Sequence, residues 1–193
     1  MQKIELSSPR LSIAAPTLAD VDAIVAACQD PEIQRRIPVP VPYTLADAES
    51  FVSMQSDSGW ADGTRCTWAI RLAGDPAATL AGVVSLHDIS AGLAMIGYWL
   101  APQHRGQGLL GEATRAVIDF GFAATPTGLG LARIEWHANG GNTGSAHVAR
   151  RAGFRFEGTR RLGAIGRQGR EDDWVAGLLA DDDRTPRPWP ILA

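Results

Sequence analysis

Gln103-His104-Arg105-Gly106-Gln107-Gly108, with Leu109-Leu110-Gly111 directly behind it, is the stretch on which the fold turns. Before it stands an apolar run, Met95-Ile96-Gly97-Tyr98-Trp99-Leu100, which reads as a strand. After it, Glu112 to Phe122 reads as a helix. A strand that passes through a glycine-spaced turn into a helix is a seat for an anion. The first helical turn leaves several N–H groups unpaired, and the positive end of the helix dipole lies there. Glycines let a phosphate approach the backbone with no Cβ in the way. The expected donors are the N–H groups of Arg105, Gly106, Gln107, Gly108 and Leu109, with Leu110 and Gly111 behind them, and Gln103 and His104 flanking the turn.

Two common phosphate loops fit poorly. A P-loop needs a Lys after its glycines, and none follows here. Gly106-x-Gly108-x-x-Gly111 satisfies the dinucleotide pattern literally, but about half the chain precedes it, whereas that fingerprint usually opens a domain. It also needs an acid about 20 positions further on, and Pro126 to Gly130 holds none. A second motif follows: Asn142-x-x-Ser145, then Ala152-Gly153-Phe154-x-x-Glu157-Gly158. The two motifs in this order resemble the GCN5-related N-acetyltransferases (GNAT). Within that superfamily they are similar to the ribosomal-protein-alanine acetyltransferase (RimJ/RimL-like) branch. The resemblance runs from about Arg10 to about Leu179. It implies the GNAT acyl-CoA N-acyltransferase fold, acetyl-CoA as co-substrate, and a primary amine as acceptor.

The composition agrees with such a protein. A chain of 193 residues, 45% hydrophobic and 20% charged, can bury a sizeable core. The net charge of -3 offers no basic field for nucleic acid. Cys28 and Cys66 form neither a disulfide framework nor a metal cluster, and His87, His104, His137 and His147 are scattered, so no metal is expected. No apolar run approaches the roughly 20 residues that span a bilayer. Met1 to Glu5 lacks the apolar region of a signal peptide, so a soluble cytoplasmic protein, monomer or homodimer, is expected.

Periodicity supplies the elements. Arg10 to Ala15 alternates as a strand. Thr17 with Asp20, and Thr44 with Asp47, have capping-box spacing and open two helices. Asp30-Pro31 is expected to end or kink the first. The second should turn Leu45, Ala48, Phe51, Val52 and Gln55 inward, followed by a loop from Asp57 to Gly63. Cys66 to Leu72, Thr79 to Asp88 and Leu93 to Leu100 should form an antiparallel meander, with a turn at Gly74-Asp75-Pro76. A helix from about Arg105 to Ala123, a strand Leu131 to Ala138 and a helix Asn142 to Ala152 follow. Phe154 to Leu162 and Asp173 to Leu179 read as a hairpin around the glycine-rich Gly163 to Gly169. The expectation is an α/β (α+β) domain over residues 1–180, with a mixed, mostly antiparallel central sheet flanked by helices. The Pro-rich tail, 181–193, is expected to be partly disordered.

Acetyl transfer needs a neutral amine, stabilisation of the oxyanion, and stabilisation of the leaving thiolate. The resemblance places the pantetheine arm along Tyr98, Trp99 and Leu100, where strands splay, with the Leu100 N–H as oxyanion donor. Asn142 either bonds the pantetheine amide or caps its helix. Many relatives carry a Tyr in that helix to protonate the sulfur. This helix has none, which makes Ser145 the candidate partner of the CoA sulfur. For the general base, Glu135 and His137 share one strand face, His87 and Asp88 end an earlier strand, and Asp172 and Asp173 open the last. Trp60, Trp68 and Trp136 either line an acceptor cleft or fill the core. The reading is direct transfer from acetyl-CoA to a protein N-terminal α-amine or a small-molecule amine in a ternary complex. The alternatives are a non-catalytic acyl-CoA-binding module and an enzyme using a longer acyl-CoA such as succinyl-CoA.

Overall fold

Strands Leu6–Ser7 (β1), Leu11–Ala14 (β2), Arg65–Leu72 (β3), Leu80–Ser90 (β4), Leu93–Leu100 (β5), Arg133–Asn139 (β6), Arg155–Gly166 (β7) and Gly169–Leu179 (β8) make one sheet in the order β1-β2-β3-β4-β5-β6-β8-β7. This is a computed structural model, and it describes residues 1–75, 77 and 79–193. Every neighbouring pair is antiparallel except β5 and β6. A parallel pair needs a crossover, and the helix Leu109–Phe122 supplies it. Among the described residues there are five shorter α-helices, Val21–Cys28 (α1), Pro31–Arg36 (α2), Leu45–Ser50 (α3), Ser58–Asp62 (α4) and Thr143–Arg151 (α6), with the crossover helix as α5.

Alternation along the strands divides the core in two. Trp68, Ile70, Val84, Leu86, Ile96, Ile134 and Trp136 are buried on the face that packs α5 and α6. Ala69, Val83 and Trp99 take the other face, beneath Ile24 and Cys28 of α1, Ile33 of α2 and Ala48 of α3. On α5, Leu109, Ala113, Thr114, Val117, Ile118 and Phe120 are buried.

The mostly antiparallel sheet flanked by helices is as expected, and the meander runs as read. Several local expectations are corrected. Asp30-Pro31 does not merely end α1. The Asp30 side chain accepts from the Ile33 N–H at 2.9 Å, and Pro31 occupies the first position of α2, where its missing N–H has no cost. Asp57 to Gly63 is no loop: a wide π-type turn over Phe51–Asp57 leads straight into α4, which Gly63 ends at φ +76°. Leu45, the first residue of α3, is 55% exposed, and past the widening Gln55 is exposed while Ser56 is buried. The predicted turn appears at Ala73 and Gly74, and Pro76 lies outside the described residues. The glycine-rich Gly163 to Gly169 mostly continues the two strands, because β7 reaches Gly166 and β8 starts at Gly169.

The tail does not float free. Trp189 is 2% exposed and packs against Trp136 (centroids 5.4 Å apart) and Phe156 (5.5 Å). Its Nε1 donates to the Phe154 carbonyl at 3.2 Å. One large aromatic outweighs the flexibility of the Pro-rich, acidic residues around it. Trp189→Ala is expected to cost about 3–5 kcal/mol of stability, read as a lowered midpoint in chemical denaturation.

Candidate active site

β5 and β6 pair only from Leu93 with Arg133 to Ile96 with Trp136. Past that point β5 continues to Leu100 bonded to β4 alone, and β6 continues to Asn139 bonded to β8 alone. The two strands part and leave a wedge. Ala101 donates to Ala81 O at 2.9 Å, so the alternation of an antiparallel ladder turns the N–H and C=O of Leu100 away from β4, towards the open side. The Leu100 carbonyl there accepts from Arg105 Nε at 3.2 Å. Gly82 stands opposite Leu100 because a Cβ would lie 2.3 Å from the Trp99 carbonyl oxygen.

The glycine turn lies at the mouth of this wedge. Pro102–His104 forms a single 3-10 turn, and the Arg105 N–H closes it by donating to Pro102 O at 3.2 Å. Arg105 is therefore removed from the expected backbone donors. Gly106 and Gly108 both sit at φ +76°, a region L-side chains rarely adopt. The N–H groups of residues 106 to 111 find no acceptor among the described residues, and Glu112 N to Gly108 O is the first helical bond. That is an array of free donors at a helix start, with the guanidinium groups of Arg115 and Arg151 on the same cleft. Leu109 buries its side chain in the core and offers only its backbone. Gln103 is exposed, and its carbonyl accepts from Gln107 Nε2 at 3.1 Å; His104 does not line the cleft.

The turn is braced from outside. Arg10 donates through Nη1 to Gln107 O (3.1 Å) and through Nε to Glu112 Oε2 (2.7 Å), while Ser8 Oγ donates to Glu112 Oε1 (2.6 Å). Arg105 Nη2 pairs with Asp30 Oδ1 at 2.8 Å. Partial burial opposes ionisation of Asp30 and Glu112, yet hydrogen bonds and charge from these arginines hold both below the usual carboxylate range.

The far wall of the wedge is α6. Asn142 Oδ1 accepts from the Ser145 N–H at 3.3 Å, so its oxygen caps the helix, and its NH₂ has no acceptor among the described residues. Trp136 Nε1 donates to Ser145 Oγ at 2.9 Å, and Tyr98 Oη donates to the Ser145 carbonyl at 3.0 Å. The serine oxygen is thus used as an acceptor, and its own O–H is left to donate elsewhere. Burial pushes the Tyr98 hydroxyl well above its usual range.

A cleft of about 1240 Å³ connects the wedge to the space under α1 to α3. Ser85, His87, Gly97, Trp99, His137 and Asp173 line its sheet side. His137 Nδ1 lies 3.0 Å from Asp173 Oδ2, and its Nε2 lies 3.6 Å from Glu135 Oε2. Glu135 itself turns to Arg133 Nε at 2.9 Å and does not line the cleft; burial works against its ionisation, but Arg133 holds it below the usual range. His87 is better placed than the sequence alone suggests. Its Nδ1 is 2.9 Å from Asp88 Oδ2, which puts the proton on Nδ1 and leaves the Nε2 lone pair open. Its ring lies over Gly97, where a Cβ would stand 3.3 Å from Nε2. Burial, first of its causes, holds His87 below the usual histidine range. Trp60 and Trp68 are buried core, with ring centroids 5.0 Å apart, and are not among the residues lining this cleft; Trp136 reaches the site through its indole N–H.

A profile of the acetyltransferase (GNAT) domain matches residues 10–155. "Probable N-acetyltransferase YjcK" of Bacillus subtilis (strain 168) is 39% identical over 107 residues, which is 54% of this chain; the chain spans 57% of that relative's length. Among solved structures, "RimL- Ribosomal L7/L12 alpha-N-protein acetyltransferase in complex with Coenzyme A" superposes with TM-score 0.80 at 22% identity, covering 93% of this chain and 100% of that one. "Mycobacterium smegmatis RimJ in complex with CoA-disulfide" gives TM-score 0.79 at 21% identity, covering 93% and 87%. At these identities the two structures speak for the fold.

The brace on the turn has a pH signature. A carboxyl held below its unfolded value adds stability above the ordinary carboxylate range and loses it as pH falls through the folded value. Glu112→Gln is expected to cost roughly 1–2 kcal/mol at neutral pH. That difference from the wild type should shrink towards zero in denaturation curves taken at increasingly acid pH.

Proposed function

Because the chain belongs to the GNAT acetyltransferase family, we propose that it moves an acetyl group from acetyl-CoA directly to a primary amine within a ternary complex. The observation behind this reading is the wedge between β5 and β6, with free amides at its mouth and the Leu100 N–H and Ser145 O–H along it. A diphosphate fits the N–H groups of Gly106 to Gly111, which no side chain of the turn blocks. An extended amide-bearing arm fits the unpaired edge of β5 beyond Ile96, with the Asn142 NH₂ facing it.

Acetyl-CoA supplies the acyl group as an activated thioester. The Leu100 N–H donates to the carbonyl oxygen as negative charge develops there. The Ser145 O–H, its oxygen already held by Trp136, donates to the sulfur as the C–S bond breaks. His87 Nε2, unprotonated at neutral pH because its environment holds it low, takes one proton of the acceptor ammonium through water before the C–N bond forms. His137 with Asp173 stands on the same wall and orders the water through which that proton leaves. The second proton leaves the nitrogen for the departing thiolate as the C–S bond breaks. A covalent acyl-cysteine route finds no support: Cys28 and Cys66 are buried, and burial pushes their thiols up to about 11 and about 12.

Thiol release from acetyl-CoA with a panel of amines tests the reading, and its absence with every amine while CoA still binds would leave a binding module instead. Gly106→Ala is expected to weaken CoA by about 1–2 kcal/mol, on the order of ten-fold in Kd by calorimetry, through the strained φ. Ser145→Ala should lower kcat roughly ten- to hundred-fold with little change in CoA affinity. The acid limb of kcat/KM should fall below the usual histidine range and disappear in His87→Gln.

A further inference from the structure

The charged side chains of the acceptor half of the cleft are almost all engaged. Arg36 donates to Gly141 O at 3.1 Å and lies 3.6 Å from Glu32. Arg105 is paired with Asp30, and Asp173 is shared between His137 and Arg160. Arg65 differs: it lines the same cleft and is partly buried, yet its guanidinium has no carboxylate within 4.0 Å and no hydrogen-bond acceptor among the described residues. We propose that Arg65 receives an oxyanion of the acceptor, a carboxylate or a phosphate, so that the substrate is an amine with an anionic group on the same molecule. The proposal rests on the acetyltransferase reading and adds the acceptor's chemical class to it.

Position supports this. Arg65 opens β3 and stands directly across from His87 of β4. Its stem is confined, since a Cβ on Gly59 of α4 would come 2.6 Å from the Arg65 Cβ. A guanidinium drawn partly out of water without a partner costs free energy, which a bound oxyanion would offset through paired N–H donors. Through the register Arg65 is level with His87 and with Met95 of β5, whereas Leu100 stands five residues further along. From the β5 edge, β3 is two strand spacings away, about 10 Å, with an offset of roughly 17 Å along the strands to Leu100. The acceptor that reaches both ends is therefore an extended molecule with its amine and its oxyanion many bonds apart. The other cations on the cleft without a carboxylate partner among the described residues are Arg115 of α5, beside Gly111 of the glycine turn, and Arg151 at the end of α6. Arg65 also helps to depress His87 after burial does. An anion seated on Arg65 would remove part of that depression and make His87 a stronger base when the correct acceptor is bound.

The test uses the full chain, acetyl-CoA and three acceptor series of increasing spacer length: amino-carboxylates, amino-phosphonates, and neutral amino-amides of matched length. In the wild type, kcat/KM is expected to favour at least one anionic series over the neutral one by about ten-fold or more. In Arg65→Gln that ratio should fall towards one, and Arg65→Lys should restore part of it. The carboxylate and phosphonate arms distinguish the two oxyanions. Equal rates for anionic and neutral amines, or an equal loss on both in Arg65→Gln, would overturn the assignment and leave the transferase standing. No turnover in any arm would remove both. Calorimetric CoA affinity of each variant identifies one that merely failed to fold.

Discussion

Pairing between the two central parallel strands stops halfway, and most of the site follows from that interruption. A strand in a buried sheet normally satisfies both edges of its backbone. β5 does so against β4 along its whole length, but against β6 only as far as Ile96. Beyond Ile96 its outward N–H and C=O groups face a gap whose walls are held in place by the core. On one side Gly82 lets β4 approach closely; on the other, Tyr98 and Trp136 tie α6 down by hydrogen bonds to Ser145. The wedge is thus an interruption of the ladder whose walls are fixed by the core, and under the proposed function its open β5 edge receives an arm that acts as a short strand.

The glycine turn shows a second economy. Its cations are spent on the protein itself: Arg10 on Glu112 and Gln107, Arg105 on Asp30 and Leu100. What remains for an anion is mainly main-chain N–H, fixed in direction by two left-handed glycines. Donors that cannot reorient cost nothing to order when the anion arrives, whereas free arginine side chains would. The bracing residues come from the first strands and the first helices, so the N-terminal part of the chain contributes geometry to a turn that follows β5.

This explains how far the sequence could be read. The strand–turn–helix stretch and the Asn142–Ser145 pair were legible because their chemistry is local: glycine spacing, cap preference and periodicity all lie within a dozen residues. Helix α2 was not, since a proline is usually a stop, and only the Asp30 cap reveals that Pro31 is a start. The π-type turn before α4 changes a helical phase that periodicity assumes constant. The burial of Trp189 and the Arg10–Glu112 brace join residues far apart in the chain, which no local pattern encodes. His87 was visible only as a histidine at a strand end. Its proposed role as a base rests on Gly97 beneath it and Asp88 beside it, and the first of these neighbours is tertiary.

The same geometry decides how the leaving group is handled. The chain holds two tyrosines, Tyr43 and Tyr98, and burial pushes both hydroxyls up. Tyr98 spends its proton on the Ser145 carbonyl, and Tyr43 belongs to the other core cluster, beneath α1 and α3. Neither is arranged to protonate a sulfur in the wedge. A thiol titrates at about 8.5 in water, so a thiolate leaves at neutral pH with far less help than an alkoxide needs. A hydrogen bond is then enough, provided it is aimed. Trp136 aims it: by donating to Ser145 Oγ it leaves the hydroxyl proton free to turn from the indole to the sulfur. In the reaction proposed above the serine acts as an oriented donor to developing charge, and the indole, by holding Ser145 Oγ, sets its direction.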